Sequence, residues 1–269
     1  MVLINNMNNF SSKIIKALLP LLLVFPCLLG VAQIEKPEIG IPVVKRSEIK
    51  KISLEAGTHD YALEMTNGKK WNVRILVPEI KKEQKYPLVL ALHWAGDKEA
   101  YKTYSDCLVF PAFEKIKAFI VVPSSDGTHW IHPNNEYRVI DLLRKLKKQF
   151  PIAKDQIVVT GYSNGGIGSW KYAEAYPKLF SAAIPMAGYY EKKKLRIPVY
   201  IIHGEKDELF NVHTVQNTMA QSKKMGSQID ITIVKDLSHY MACSYTDVLR
   251  EKALHLQETI FKNAVRLKD

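Results

Sequence analysis

Gln156-Ile157-Val158-Val159-Thr160-Gly161-Tyr162-Ser163-Asn164-Gly165-Gly166 reads as an apolar strand that runs into a glycine-crowded turn. Ile167 to Tyr176 follows with helical spacing. A serine at so tight a strand-to-helix turn sits on strained backbone, and its neighbours must be small. Gly161 and Gly165, two residues to either side of Ser163, meet that steric demand. The G-x-S-x-G pattern recurs by chance in many chains. The strand before it and the helix after it give it weight.

Outward from this turn, strand-like and helix-like segments alternate to the end of the chain. Residues 87–92, 118–122, 157–159, 182–186 and 198–202 are near-continuous apolar runs, and 229–234 supplies a last strand. Strands apolar on both faces belong to a parallel sheet covered on both sides. Tyr137, Ile140, Leu143 and Leu146 mark one helical apolar face, and Val248, Ala253, Leu256 and Ile260 another. Upstream, Tyr61–Met65 and Trp71–Val77 are expected to pair through the Asn67-Gly68 turn. No linker or repeat divides the pattern. The expected architecture is a single α/β domain over residues 51–269, a mostly parallel doubly wound sheet with helices on both faces. Residues 33–50 read as an extended lead-in.

Ligand sites of open parallel sheets lie at the carboxyl ends of the strands. Ser163 follows one strand, and His203-Gly204-Glu205-Lys206-Asp207 begins at the end of the next candidate. Lys235 to His239 follows the last, and His93-Trp94-Ala95-Gly96 follows the 87–92 strand. A serine hydroxyl is a poor nucleophile until an imidazole takes its proton, and the imidazole needs a carboxylate to fix its tautomer. The order Ser163, Asp207, His239 supplies those groups in the sequence expected of α/β-hydrolases. Glu205 and Glu208 compete with Asp207, and His203, His213 and His255 compete with His239.

With these pieces in place, the chain resembles the secreted α/β-hydrolase esterases grouped around polyhydroxybutyrate depolymerase, feruloyl esterase and phospholipase/carboxylesterase relatives. The likeness rests on Leu92-His93-x-x-Gly96, the Trp130 segment, Val159 to Gly166, Tyr176-Pro177, Phe180 to Ala183, His203-Gly204-x-x-Asp207 and Ser238-His239. It implies a carboxylic ester hydrolase without a cofactor, with Ser163 as nucleophile, Asp207 as orienting acid and His239 as general base. Backbone N–H groups of Asn164 and of Ala95 or Trp94 are the implied oxyanion donors. Trp94 stands where this group has glycine, so a bulky indole is expected to wall the acyl pocket. Trp94, Trp130, Tyr162 and Tyr189 are the expected substrate contacts, and the substrate is a small-molecule or polymer-linked ester. A serine peptidase of the same fold, or a non-catalytic cleft for carbohydrate or lipid, stays open.

The ends and the charges complete the reading. Lys13 and Lys16 precede an apolar stretch, and Gly30-Val31-Ala32 supplies small residues, so 1–32 is expected to be a signal peptide cleaved near Ala32. The product would be secreted or periplasmic, without a stable membrane span. Its removal takes two lysines from a net charge of +11. A basic balance can signal anionic partners such as nucleic acid, lipid headgroups or acidic polysaccharide, but dispersed charges of this kind are uninformative about chemistry. The lysines are scattered and no basic-aromatic motif accompanies them, which argues against nucleic acid. Cys107 and Cys243 permit one disulfide or two buried thiols. No two histidines have ligand spacing with a nearby carboxylate.

Overall fold

Every residue from Tyr86 to Leu92 is buried, because this run forms the central strand of a nine-stranded sheet. The computed structural model describes residues 41–261. The expected signal peptide lies outside the described residues. The strands are β1 (Val43–Lys45), β2 (Gly57–Glu64), β3 (Lys70–Val77), β4 (Tyr86–Leu92), β5 (Phe119–Pro123), β6 (Ile152–Tyr162), β7 (Ala182–Met186), β8 (Val199–Lys206) and β9 (Ile229–Ser238). Their order across the sheet is β1-β2-β3-β5-β4-β6-β7-β8-β9. From β5 to β9 all neighbours are parallel, whereas β3 runs antiparallel to both β2 and β5. The β2–β3 hairpin turns at Gly68, whose φ of 75° suits glycine.

The helices are α1 (Ala100–Tyr104), α2 (Phe110–Phe113), α3 (Pro133–Gln149), α4 (Asn164–Ala175), α5 (Val212–Lys224) and α6 (Thr246–Thr259). They cover the two faces of the sheet and so create two apolar layers. Leu88, Leu90 and Leu92 of β4 point into one layer with α3, α4 and α5. Val89 and Ala91 point into the other, with α1, α2 and α6. This period-two division explains why the central strands must be apolar throughout. Full burial of each such leucine stabilises the fold by roughly 1.5–3 kcal/mol.

Two local expectations need correction, and one stretch carries no clear signal in the sequence. Residues 41–50 are not an extended lead-in: β1 joins β2, and a 3₁₀ turn over Arg46–Lys51 follows it. Val44 and Ile49 are buried there, and Arg46 clamps Asp141 of α3 through two bonds of 2.6 Å. Tyr137 lies on the solvent side of α3, its hydroxyl accepting from Arg46, while Val139, Ile140, Leu142, Leu143 and Leu146 form the buried stripe. The α1–α2 stretch went unread because a π turn over Ser105–Val109 shifts its helical phase and Pro111 interrupts it.

Candidate active site

The four parallel strands that matter end one residue before the groups they present. β4 ends at Leu92 and delivers His93, β6 ends at Tyr162 and delivers Ser163, β8 ends at Lys206 and delivers Asp207, and β9 ends at Ser238 and delivers His239. Since these strands share direction, their carboxyl ends share one rim of the sheet.

The elbow is as tight as the glycines require. Ser163 has φ 55° and ψ −116°, outside the conformations an L-residue adopts without strain. A Cβ on Gly161 would lie 2.1 Å from the Gly165 carbonyl oxygen, and one on Gly165 would lie 1.8 Å from the Leu92 carbonyl oxygen. The Ser163 N–H is held by the Met186 carbonyl of β7 at 3.0 Å. The hydroxyl is thus raised above the sheet with α4 starting directly beneath it. Asn164 opens α4, so its N–H is among the first-turn donors that find no acceptor within the helix. The Asn164 side chain bonds the His129 ring at 3.0 Å.

His239 joins the other two groups. Its Nδ1 lies 2.9 Å from Asp207 Oδ2 and its Nε2 lies 3.0 Å from Ser163 Oγ. An Nδ1–H donated to the carboxylate leaves the Nε2 lone pair free to accept the serine proton. Asp207 is spoken for on its other oxygen as well, since Oδ1 accepts from the N–H groups of Leu209 at 3.0 Å and Phe210 at 2.8 Å. Burial alone would raise this carboxyl, but those bonds, that of His239 first, hold it below the ordinary carboxylate range. Asp207 and His239 are both buried, while Ser163 is half-buried and faces a cleft of about 500 Å³.

Two further histidines are structural. His93 donates from Nδ1 to the Trp94 carbonyl at 2.5 Å and accepts at Nε2 from the Ser125 N–H at 3.0 Å. Accepting at Nε2 requires the neutral ring, and burial pushes its pKa down to about 4. His203 donates to the Phe210 carbonyl at 2.7 Å, and burial likewise lowers its pKa.

The expected substrate contacts divide. Trp94 and Tyr162 line the cleft beside Ser163, together with Ala95. Trp130 does not: it is completely buried, its indole N–H bonds the His93 carbonyl at 2.8 Å, and its carbonyl accepts from the Tyr172 hydroxyl at 2.7 Å. It is a strut between the 93–96 loop and α4. Tyr189 is exposed and outside the cleft lining. Six wall residues carry no signal in the sequence: Thr103, Leu209, Tyr240, Met241, Ala242 and Ser244. Cys243 also lines the cleft and is bonded to Cys107, which resolves the two readings of the cysteines in favour of a disulfide. Glu208, a rival to Asp207 by sequence, does not take the acid's place on the His239 ring. Its Oε2 instead accepts the backbone N–H of His239 at 2.8 Å.

The mostly parallel sheet, the strained elbow after β6 and the helices on both faces define an α/β-hydrolase fold. Residues 129–264 match the dienelactone hydrolase family, and the chain belongs to it. Among relatives, "Protein usf" of Aquifex pyrophilus is 25% identical over 105 residues, covering 37% of this chain and 44% of that protein. The chain therefore matches less than half the length of that relative. A thermostable esterase shares the fold with a TM-score of 0.58 and 21% identity, over 76% of this chain and 62% of the esterase. The Staphylococcus aureus S-formylglutathione hydrolase does so with a TM-score of 0.62 and 14% identity, over 75% of this chain and 97% of that enzyme.

Proposed function

We propose that the chain is an exported serine esterase that cleaves uncharged carboxylic esters through an acyl-enzyme on Ser163. The observation that carries this reading is the unbroken line from Asp207 through His239 to Ser163, with hydrogen-bond distances of 2.9 and 3.0 Å. In the first half-reaction Ser163 Oγ attacks the ester carbonyl carbon while its proton passes to His239 Nε2. The tetrahedral oxyanion is met by the backbone N–H of Asn164 and by that of Ala95 or Trp94, each donor worth about 3–4 kcal/mol in the transition state. Collapse breaks the carbon–oxygen bond, and His239 returns its proton to the leaving alkoxide. In the second half-reaction a water gives its proton to His239 and its oxygen to the acyl carbon. The acid departs and Ser163 regains its proton.

The cleft supports the choice of an uncharged ester. No Lys, Arg, Asp or Glu is among its lining residues, and Leu209, Tyr240 and Met241 expose apolar surface at its edge. A carboxylated substrate would lose its hydration here and find no cation in return. Export is supported by the N-terminal signal pattern and by the Cys107–Cys243 disulfide, which persists in oxidising compartments.

The test is covalent labelling with a fluorophosphonate together with turnover of matched aryl esters and peptide amides. Labelling of the wild type that disappears in Ser163→Ala, with esters turned over in preference to amides, is the expected result. Equal labelling of Ser163→Ala would remove Ser163 from the mechanism, and faster amide cleavage would make the chain a peptidase.

A further inference from the structure

Six of the lysines scattered along the sequence gather, with one arginine, at the end of the sheet opposite Ser163. Lys81, Lys82 and Lys85, ahead of β4, line one groove of about 710 Å³ with Lys154 at the start of β6. Arg144 and Lys147 of α3 line a second, of about 530 Å³, with Lys178 from the loop before β7. The two grooves adjoin. Ser181, just past the second, donates through its hydroxyl to the carbonyl of Asp155 in the first. Burial, and then the charge of Lys154, lowers the Lys147 amine below its usual range. The grooves present seven cations against two carboxylates, Glu83 and Asp155. None of the seven is in an ion pair among the described residues. The helix dipole accounts for Lys147, in the last turn of α3, but not for cations that sit before strands or in loops.

We infer that this basic face binds an acidic polysaccharide, with the polymer lying along the two grooves. The surface chemistry selects that occupant. Six of the seven cations are lysines, point charges on flexible stems that impose no fixed geometry and so suit the repeated charges of a flexible polyanion. Among the described residues Tyr176 is the one aromatic ring lining either groove, which gives no run of stacking surfaces for successive nucleic-acid bases. None of the exposed large apolar side chains among the described residues lies here to enter a bilayer, and grooves suit a chain better than a flat headgroup layer. β6 spans the distance from Lys154 to Ser163, about 30 Å at about 3.3 Å per residue. A bound polymer would therefore leave the catalytic cleft open.

The experiment titrates the full chain with polygalacturonate, using neutral dextran, anionic phosphatidylglycerol vesicles and duplex DNA as comparisons. Binding to polygalacturonate, absent with dextran and weakening as salt rises from about 50 to 200 mM, is expected. The variant Lys85→Gln/Lys147→Gln/Lys154→Gln should weaken it at least tenfold and leave turnover of a small aryl ester unchanged. Lys69→Gln/Lys70→Gln/Lys235→Gln removes the same charge elsewhere and should weaken it less than twofold. No binding at low salt, equal loss in both triple variants, or tighter binding of vesicles or DNA than of polygalacturonate would overturn the assignment.

Discussion

Glu208 grips His239 by its main chain: the carboxylate accepts the histidine N–H at 2.8 Å while the adjacent Asp207 engages the ring Nδ1 at 2.9 Å. Consecutive acids on one loop thus fix both the backbone and the imidazole of the same residue. The Tyr162 hydroxyl completes the hold by donating to the His239 carbonyl at 2.6 Å. The bond from the His239 N–H is the first cause of a lowered pKa at Glu208. Because Glu208 is exposed, water can take over part of its role.

Glu208→Ala is accordingly expected to lower kcat by about three- to tenfold with an unchanged KM. Glu208→Gln keeps an acceptor oxygen in place and should retain most of the activity. Steady-state kinetics on an aryl ester for both variants, with circular dichroism to show the fold intact, checks this. Equal losses in the two variants would mean that charge, not the bond to the main chain, is what matters.

Much of this arrangement is legible in the sequence, for identifiable reasons. Gly161 and Gly165 announce the elbow because their backbones approach neighbours too closely for any side chain, a constraint that local sequence must obey. Asp207 and His239 could be found because parallel strands bring residues far apart in the chain to one rim, so position after a strand suffices. Glu208 was not legible, since its partner is a backbone N–H that leaves no mark on composition. Trp130 and Tyr189 misled because an aromatic residue in a loop does not reveal which way its ring turns. Trp130 turns inward against Gly168, where a Cβ would stand 2.5 Å from its own. The basic face escaped notice because its charges come from separate segments that only the sheet assembles.

Trp94 should set acyl size. Its ring meets Tyr104 and Tyr162 edge-on, at centroid distances of 5.5 and 6.3 Å, and so is braced as a wall of the cleft. Trp94→Ala is expected to raise kcat/KM for octanoyl over acetyl aryl esters by about tenfold, a change of roughly 1.4 kcal/mol. It should also cost roughly 1–3 kcal/mol of stability, below the range for a fully buried Trp because the indole is half-buried. An unchanged chain-length profile would place the acyl group elsewhere in the cleft.

His93 should make stability pH-dependent. Burial lowers its pKa from 6.5 to about 4, so between these values the unfolded chain carries a proton that the folded chain lacks. Stability from this residue is fully present above pH 6.5 and is lost as pH falls through that window to about 4. The size is about 3 kcal/mol. His93→Gln can still donate to the Trp94 carbonyl and accept from Ser125 but cannot titrate. Urea unfolding at pH 7 and pH 4 should show a smaller drop for the variant than for the wild type. His203, lowered in the same direction, contributes to both proteins and cancels in the difference. Parallel pH profiles would contradict the assignment.

The Cys107–Cys243 bond ties the π turn of one layer to the loop just beyond His239, closing a sequence separation of 136 residues. Its loss should act at two levels. Freeing so long a loop in the unfolded chain is expected to lower unfolding free energy by about 2–5 kcal/mol. Because Cys243 lines the cleft four positions after His239, a loosened loop should also raise KM for an aryl ester by a few-fold. Thermal unfolding and ester kinetics with and without a thiol reductant, for the wild type and for Cys107→Ala/Cys243→Ala, separate these effects. The wild type should fall to the level of the double variant on reduction, and the double variant should ignore the reductant. A wild type whose Tm drops while its KM stays constant would show that the bond supports the fold without shaping the cleft, leaving Tyr162 and Glu208 as the groups that hold the His239 loop.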